Sequence, residues 1–360
     1  MKFKTLDKEK KTGFPGYSRL EGDPPAYVTG YKEIARRFVP IVSTRLTTRD
    51  RLGDWGVRWD IGRGGFTVMP GLYAVGDPEP SSPMLVTANY KLSFDRLRRE
   101  LAGVDAWITV LDTKGVNVWC AAGKGSFGTT ELLDRIARLR LGDIVSHRLL
   151  ILPQLGASGV AAPKIARLSG FRVVWGPVRA SDIPAFLASA MRKTEGMRRV
   201  EFRFADRMAV APVEIAHSWP FGIGAVAASC LGALPLGFGF GHRLIWIAAA
   251  TFGSIIAGTL AFPALLPILP SRAFSVKGAF LGAIWGLACG LLGGLGFGLG
   301  AAFVLSGAAT CSFIGLNFTG SSTFTCQPGA KAEVEKSMMP IAASLAAGIG
   351  MGTFSRIFGF

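Results

Sequence analysis

From Pro83 onward the chain alternates two hydrophobic rhythms: short apolar runs of strand length, and longer segments whose apolar residues recur every three or four positions. "PMLVTANY" (residues 83–90), "AWITVLD", "RLLILP" and "RVVWG" predict strands, while "SFDRLRRELAG", "TTELLDRIARLRL", "APKIARLSG" and "IPAFLASAMR" predict the intervening and following helices. Strand and helix in regular alternation specify a parallel sheet with crossover helices, the Rossmann-like α/β class. Ligands in such open sheets sit beyond the carboxyl ends of the strands. Thr87 and Asn89, residues 112–117, residues 153–156 and residues 175–177 fall at those ends.

The rhythm changes after Arg207. Residues 215–240, 244–270, 278–330 and 337–355 contain no Asp, Glu, Lys or Arg, and a membrane span needs only about 20 apolar residues. Dividing the third run near "LLGGLG" predicts an all-α transmembrane domain of about five helices, with small-residue faces such as "GLACGLLGGLGFGLG" that let helices approach closely in lipid. The expected organisation is therefore a lead-in over residues 1–55, an α/β domain over 56–207 and a transmembrane domain over 208–360. The turn signals "TGFPGY" and "EGDPPAY" predict a loosely structured lead-in.

Charge sharpens this division. The 360 residues carry a net charge of +16 and are 49% hydrophobic. After Arg207 the bases are Arg243, Arg272, Lys277, Lys331, Lys336 and Arg356, so nearly all the charge lies on the first part. No basic-aromatic stripe or helix-turn-helix pattern accompanies it, which speaks against nucleic acid and for anionic lipid headgroups. Arg203 and Arg207, Arg272 and Lys277, and Lys331 and Lys336 flank alternate spans on one side, which the positive-inside rule makes cytoplasmic. The N-terminal segment "MKFKTLDKEKKTGFPGY" has no apolar core of a cleavable signal. The expected placement is a multi-pass protein of the cytoplasmic membrane, with its first domain in the cytoplasm. Spans without ionisable groups suit an anchor or partner-docking bundle better than a transporter.

Of the five cysteines, Cys230, Cys289, Cys311 and Cys326 lie in or beside apolar spans without metal-ligand spacing, and neither a disulfide framework nor an iron-sulfur cluster is implied. Cys120 stands apart, in "NVWCAAGKGSFGTTELLDRI" (residues 117–136). Gly123, Gly125 and Gly128 have the spacing of a dinucleotide loop, but Asp143 precedes the next strand instead of ending it, where the ribose-binding acid belongs. A phosphate-loop reading fails because Gly123 and Lys124 are followed by glycine. Residues 117–123 read as a short helix or turn at the sheet edge. There Cys120 is either a small buried hydrophobe or a thiolate donor favoured by the helix N-terminus and Lys124. Trp119 has the same two readings, core residue or cofactor platform. His147 reads as a surface residue before a strand.

"NVWCAAGKG" (residues 117–125) resembles the cap-helix motif of the mercury-methylating corrinoid proteins. The likeness extends through "PGLYAVGDPEPSSPMLVTANYKLSFDRLRREL", "LPQLGASGVAAPKIARLSGFRVVWGPVRASDIPAFL" and the apolar C-terminal region, from about Trp55 onward. The corrinoid domain of the acetyl-CoA-pathway iron-sulfur protein is related in fold but lacks the cysteine ligand. The resemblance implies a cobalamin cofactor with Cys120 as lower axial ligand of the cobalt and as the catalytic residue. Asn117, Val118, Trp119, Ala121, Ala122, Gly123, Lys124 and Gly125 would shape the cap under the corrin, and Thr87 and Asn89 would hydrogen-bond it. It also implies methyl transfer to mercury(II), supplied as a thiolate, and a two-cluster 4Fe-4S ferredoxin as electron donor. Two other functions stay open: a corrinoid methyl carrier of one-carbon and acetyl-CoA metabolism, and a membrane-tethered dinucleotide-binding oxidoreductase. Cys326, in "TGSSTFTCQPG", reads as a loop residue or a mercury relay.

Overall fold

The computed structural model describes residues 24–233, 240–321, 324 and 327–358. Two compact units emerge. One comprises the chain to Val57 with Ile61–Val200, the other Arg58–Asp60 with Glu201–Phe360.

The first unit is built on a seven-stranded sheet. In chain order its elements are β1 (Val28–Ile34), β2 (Arg37–Val42), α1 (Thr48–Arg58), β3 (Gly71–Val75), β4 (Met84–Ala88), α2 (Lys91–Glu100), β5 (Ala106–Leu111), α3 (Val118–Gly123), α4 (Thr129–Leu139), β6 (Leu149–Leu152), α5 (Ala162–Ser169), β7 (Arg172–Trp175) and α6 (Ile183–Ala188). The sheet order is β1-β2-β3-β5-β4-β6-β7. Strands β5, β4, β6 and β7 pair in parallel, as their crossover helices require. The wholly parallel sheet expected from the alternation is corrected at the other edge, where β3 runs antiparallel to β5, and β1 antiparallel to β2. No crossover helix separates β1 from β2, and a short connection can join only antiparallel neighbours.

The expected loose lead-in is corrected as well. From residue 24 it forms β1, β2 and the start of α1, and Val39 and Val42 enter the core. Its turn signals "TGFPGY" lie outside the described residues. Buried charge secures this segment. Arg98 on α2 donates to Asp95 Oδ1 at 2.7 Å and to Asp50 Oδ2 at 2.9 Å, and its Nη1 also reaches the carbonyls of Ser43 and Arg45. Lys91 Nζ bonds Asp50 Oδ1 at 2.6 Å and also reaches Asp95. Burial alone would raise the Asp50 pKa, but Lys91 and Thr47 hold it well below the usual carboxylate range.

Strands β3, β4 and β5 are buried along their whole length, as central strands covered on both faces must be. Successive residues point to opposite faces. Leu72, Met84, Val86 and Trp107 pack with Ala121 of α3, Leu132 and Ile136 of α4 and Ile165 of α5. Tyr73, Leu85, Ile108 and Val110 pack with Phe94 and Leu97 of α2 and Phe186 of α6. The result is a three-layer α/β/α unit. In α4, Leu132, Ile136 and Leu139 recur on one face, which explains both its helicity and its docking.

The second unit is helical: α7 (Phe204–Met208), α8 (Ala211–Ala233), α9 (Phe240–Ile256), a π-turn at Ala257–Ala261, α10 (Phe262–Leu265), α11 (Phe274–Leu292), α12 (Phe297–Asn317) and α13 (Gln327–Phe358). Among the described residues four helical stretches are long and apolar enough to cross a membrane, at Gly241–Leu265, Phe274–Leu292, Phe297–Asn317 and Pro328–Ser355. Five were expected. The described part of α8 falls short because His217, Trp219 and Pro220 occupy its first half, and residues 234–239 lie outside the described set. Helices α11 and α12 meet along glycines: a Cβ on Gly278, Gly282 or Gly286 would lie 2.3, 2.0 or 2.3 Å from the backbone oxygen of Cys311, Gly307 or Phe303. Cys289 and Cys311 are buried, while Cys326 lies outside the described residues.

Candidate functional site

The parallel strands β4, β5, β6 and β7 present their carboxyl ends along one edge of the sheet. Beyond β5 the chain does not enter its crossover helix directly. It turns through residues 112–117, forms the six-residue α3, turns again at Gly125, and only then starts α4.

Asn89, at the end of β4, organises the first turn. Its Oδ1 accepts from the backbone N–H groups of Thr113 and Gly115, each at 3.0 Å, and lies 2.9 Å from Thr113 Oγ1. Asn89 is therefore buried and occupied with the loop that delivers α3. Thr87 is also buried on β4. Glu131 of α4 accepts from the Asp112 N–H at 2.8 Å. Burial alone would raise the pKa of Asp112, but bonds from the Lys114 side chain and backbone hold it below the ordinary carboxylate value. Asn117 then caps α3, its Oδ1 accepting from the Cys120 N–H at 2.9 Å and so satisfying one of the amides left without a partner at a helix start.

With one helical turn fixed, faces follow from the period. Val118, Ala121 and Ala122 point into the core. Trp119 and Cys120 are half-buried on the other side, and Gly123, Lys124 and Gly125 are exposed. Cys120 is a free thiol. Sequence reasoning brought residues 117–125 to this edge, but it missed what holds them. Phe127 is fully buried and donates its N–H to the Ala121 carbonyl at 3.1 Å. A Cβ on Gly159 would lie 2.2 Å from the Phe127 carbonyl and 2.9 Å from Ala122 Cα, and one on Gly156 would lie 2.5 Å from the Phe127 ring. Glycines 36 and 39 residues from Cys120 carried no local signal of this contact.

The glycine triplet also has a structural account. Gly125 adopts a left-handed conformation with φ of 80°, which favours glycine. A Cβ on Gly128 would lie 2.5 Å from the Gly125 carbonyl. The triplet follows a helix instead of leaving a strand, which is not the context of a dinucleotide loop. His147 is set apart from this edge, its Nε2 2.9 Å from the Ser82 carbonyl before β6. Among the described residues no cluster of three His, Cys, Asp or Glu is placed to hold a metal ion, so a metal bound at this edge would need a cofactor to supply its remaining ligands. A flat macrocycle fits the donor set: one soft sulfur on an outward helix face, beside the low edge formed by Gly123 and Gly125, where a Cβ on Gly125 would meet nothing within 4 Å.

Comparison with known proteins bears on this same unit. Residues 62–187 match the CO dehydrogenase/acetyl-CoA synthase delta subunit family. Gamma subunits of acetyl-CoA decarbonylase/synthase complexes are similar over this region. That of Methanopyrus kandleri is 33% identical over 136 residues, covering 37% of this chain and 28% of the relative. That of Archaeoglobus fulgidus is 31% identical over 122 residues, covering 33% and 26%. The chain thus spans about a quarter of the length of the curated relatives it matches. The α/β unit carrying Cys120 is related to subunits of the acetyl-CoA decarbonylase/synthase system.

Proposed function

We propose that this protein is a membrane-anchored corrinoid-dependent methyltransferase with Cys120 as lower axial ligand of the cobalt, and that its methyl acceptor is inorganic mercury(II) presented as a thiolate. The observation that carries this reading is the placement of Cys120, half-buried and outward-facing on a separate short helix at the carboxyl edge of the sheet. A bound corrinoid would supply the methyl group, and Cys120, as a soft and strongly donating thiolate ligand, would favour its transfer as a carbanion.

The rest is done by the chain. Asn117 fixes the turn of α3 on which the sulfur sits. Val118, Ala121 and Ala122 lock that helix to the sheet, so the donor is held in place. Trp119, Gly123, Lys124 and Gly125 flank the donor on its open side, and Thr87 and Asn89 support the edge from β4. Mercury(II) suits this donor because it is a soft electrophile that accepts a carbanion. Re-reduction after turnover calls for an electron-donating partner, which we assign to a two-cluster 4Fe-4S ferredoxin. In this reading residues 56–207 form the cytoplasmic corrinoid-binding domain, and residues 208–360 anchor it in the cytoplasmic membrane.

The comparisons favour a second reading, a corrinoid methyl carrier of acetyl-CoA metabolism, because the relatives are subunits of that complex. The two readings part at the acceptor. The full chain, reconstituted with methylcobalamin, is given mercury(II) bis-thiolate or, separately, an acetyl-CoA synthase with carbon monoxide and coenzyme A. Methylmercury from the first mixture, lost in Cys120→Ala, is the expected result. Acetyl-CoA from the second, without methylmercury from the first, would establish the carrier. A wild-type rate in Cys120→Ala would overturn the ligand assignment.

A further inference from the structure

Helix α1 turns an apolar strip outward. Leu52, Trp55 and the following Ile61 are 65%, 60% and 66% exposed, although all three are residue types that normally gain from burial. The helical period places Asp50 and Val57, both buried, on the inner face. Leu52 and Trp55, three positions apart, then share the centre of the outer face, with Arg51 on one flank and Arg49 on the other. Arg49, Arg51 and Arg63 are exposed. Of the nearby acids, Asp50 is neutralised inside by Arg98 and Lys91, Asp54 is half-buried, and Asp60 hydrogen-bonds His217 at 2.9 Å. An apolar strip with a tryptophan, bordered by arginines, is the surface of an element lying in the headgroup layer of an anionic bilayer.

We infer that the outer face of α1 docks on anionic phospholipid, with Leu52, Trp55 and Ile61 entering the acyl boundary and Arg49, Arg51 and Arg63 pairing with headgroup phosphates. The argument rests on the membrane reading of the helical unit. Asp60 adds a link independent of the strip. It groups with that unit and bonds His217 on α8, next to the exposed Trp219.

The test uses the full chain in nanodiscs of phosphatidylcholine with or without phosphatidylglycerol. A benzophenone amino acid is placed at position 55, at position 339 of α13, or at position 168 of α5, where Leu168 is also exposed, and adducts are read by mass spectrometry. Lipid adducts at 339 and 55 but not at 168 are expected. The yield at 55 should rise with phosphatidylglycerol and fall by roughly fivefold for each arginine changed among Arg49→Gln, Arg51→Gln and Arg63→Gln. Adducts at 339 without adducts at 55, or adducts from 55 to protein instead of lipid, would overturn the docking of α1. Their loss at both positions would overturn the membrane reading itself.

Discussion

The two units solve the same packing problem with opposite means. The sheet unit buries charge: Arg98 and Asp95 are wholly enclosed, and around them Asp50 and Lys91 complete a network holding β2, α1 and α2 together. The core of the helical unit relies on the absence of side chains, with the glycines of α11 against the backbone of α12. A buried ion network is only as good as its last partner, whereas a glycine seam fails as soon as one atom is added. The cysteines follow the same division. Cys311 is enclosed, its Sγ 3.0 Å from the Ser254 carbonyl, while Cys120 is half-buried on an outward face. Burial, not residue type, separates a packing cysteine from the one proposed as a ligand.

The strongest way to break this contrast is Arg98→Leu. Among the described residues it leaves Lys91 as the one cation bonded to Asp50 and Asp95, and the loss of one partner from a buried ion network costs about 3–5 kcal/mol. Urea unfolding should lose that much stability while the helical unit keeps its helicity. The pH dependence of the wild type tests the same network. The Asp50 pKa is depressed in the folded state, so its contribution is fully present above the unfolded carboxylate value of about 3.9 and is lost as pH falls below it. The stability gap between wild type and Asp50→Asn should therefore be widest near neutrality and close in acid. A constant gap would assign the role of Asp50 to shape alone.

Cys120→Ala should change function and leave stability nearly alone. Residues that merely orient a metal ligand are worth about 10–100-fold, so removing the proposed ligand should lower the proposed methyl transfer by on the order of 100-fold or more, with the urea midpoint unchanged. Cys311→Ala should do the reverse, sparing transfer and lowering stability in detergent. Next comes Gly282→Val, whose first added atom would lie 2.0 Å from the Gly307 carbonyl. Overpacking of this kind costs about 1–3 kcal/mol, read as a lower thermal midpoint. Asn117→Ala is the smallest effect, about 1 kcal/mol for a lost cap, and it should reduce transfer more than stability because the cap holds the turn that carries Cys120.

Much of this was legible in the sequence wherever a local rule sufficed. The alternation from Met84 to Ala188 gave strands β4 to β7 and their helices, because buried strands and amphipathic helices carry distinct periods. At Cys120 the sequence left a short helix or a turn open, and the bond from the Cys120 N–H to Asn117 Oδ1 that starts the helix is seen only in the structure. Long-range pairing was not legible. β1 (VTGYKEI) mixes polar residues with a glycine and Pro40 interrupts β2 (RFVPIV), and the chain after β2 is tied to Arg98, more than fifty residues away from Ser43 and Arg45. The antiparallel β3 was missed for a similar reason. "GLYAV" is too short to outweigh the prolines and glycines around it. At the site, the thiol was identifiable by resemblance, but its support by Phe127, Gly156 and Gly159 is a contact between distant loops.

The order of elements along the chain has a consequence for how the protein is made. Every strand of the sheet precedes Glu201, and β7 ends at Trp175 while α8 begins at Ala211. Synthesis at roughly 5–20 residues per second leaves a few seconds between them. The edge that carries Cys120 is therefore assembled while the ribosome still holds the chain. On the proposed function, cofactor capture and insertion of the apolar helices become successive steps of biogenesis, and a chain stalled between them would already carry the proposed site.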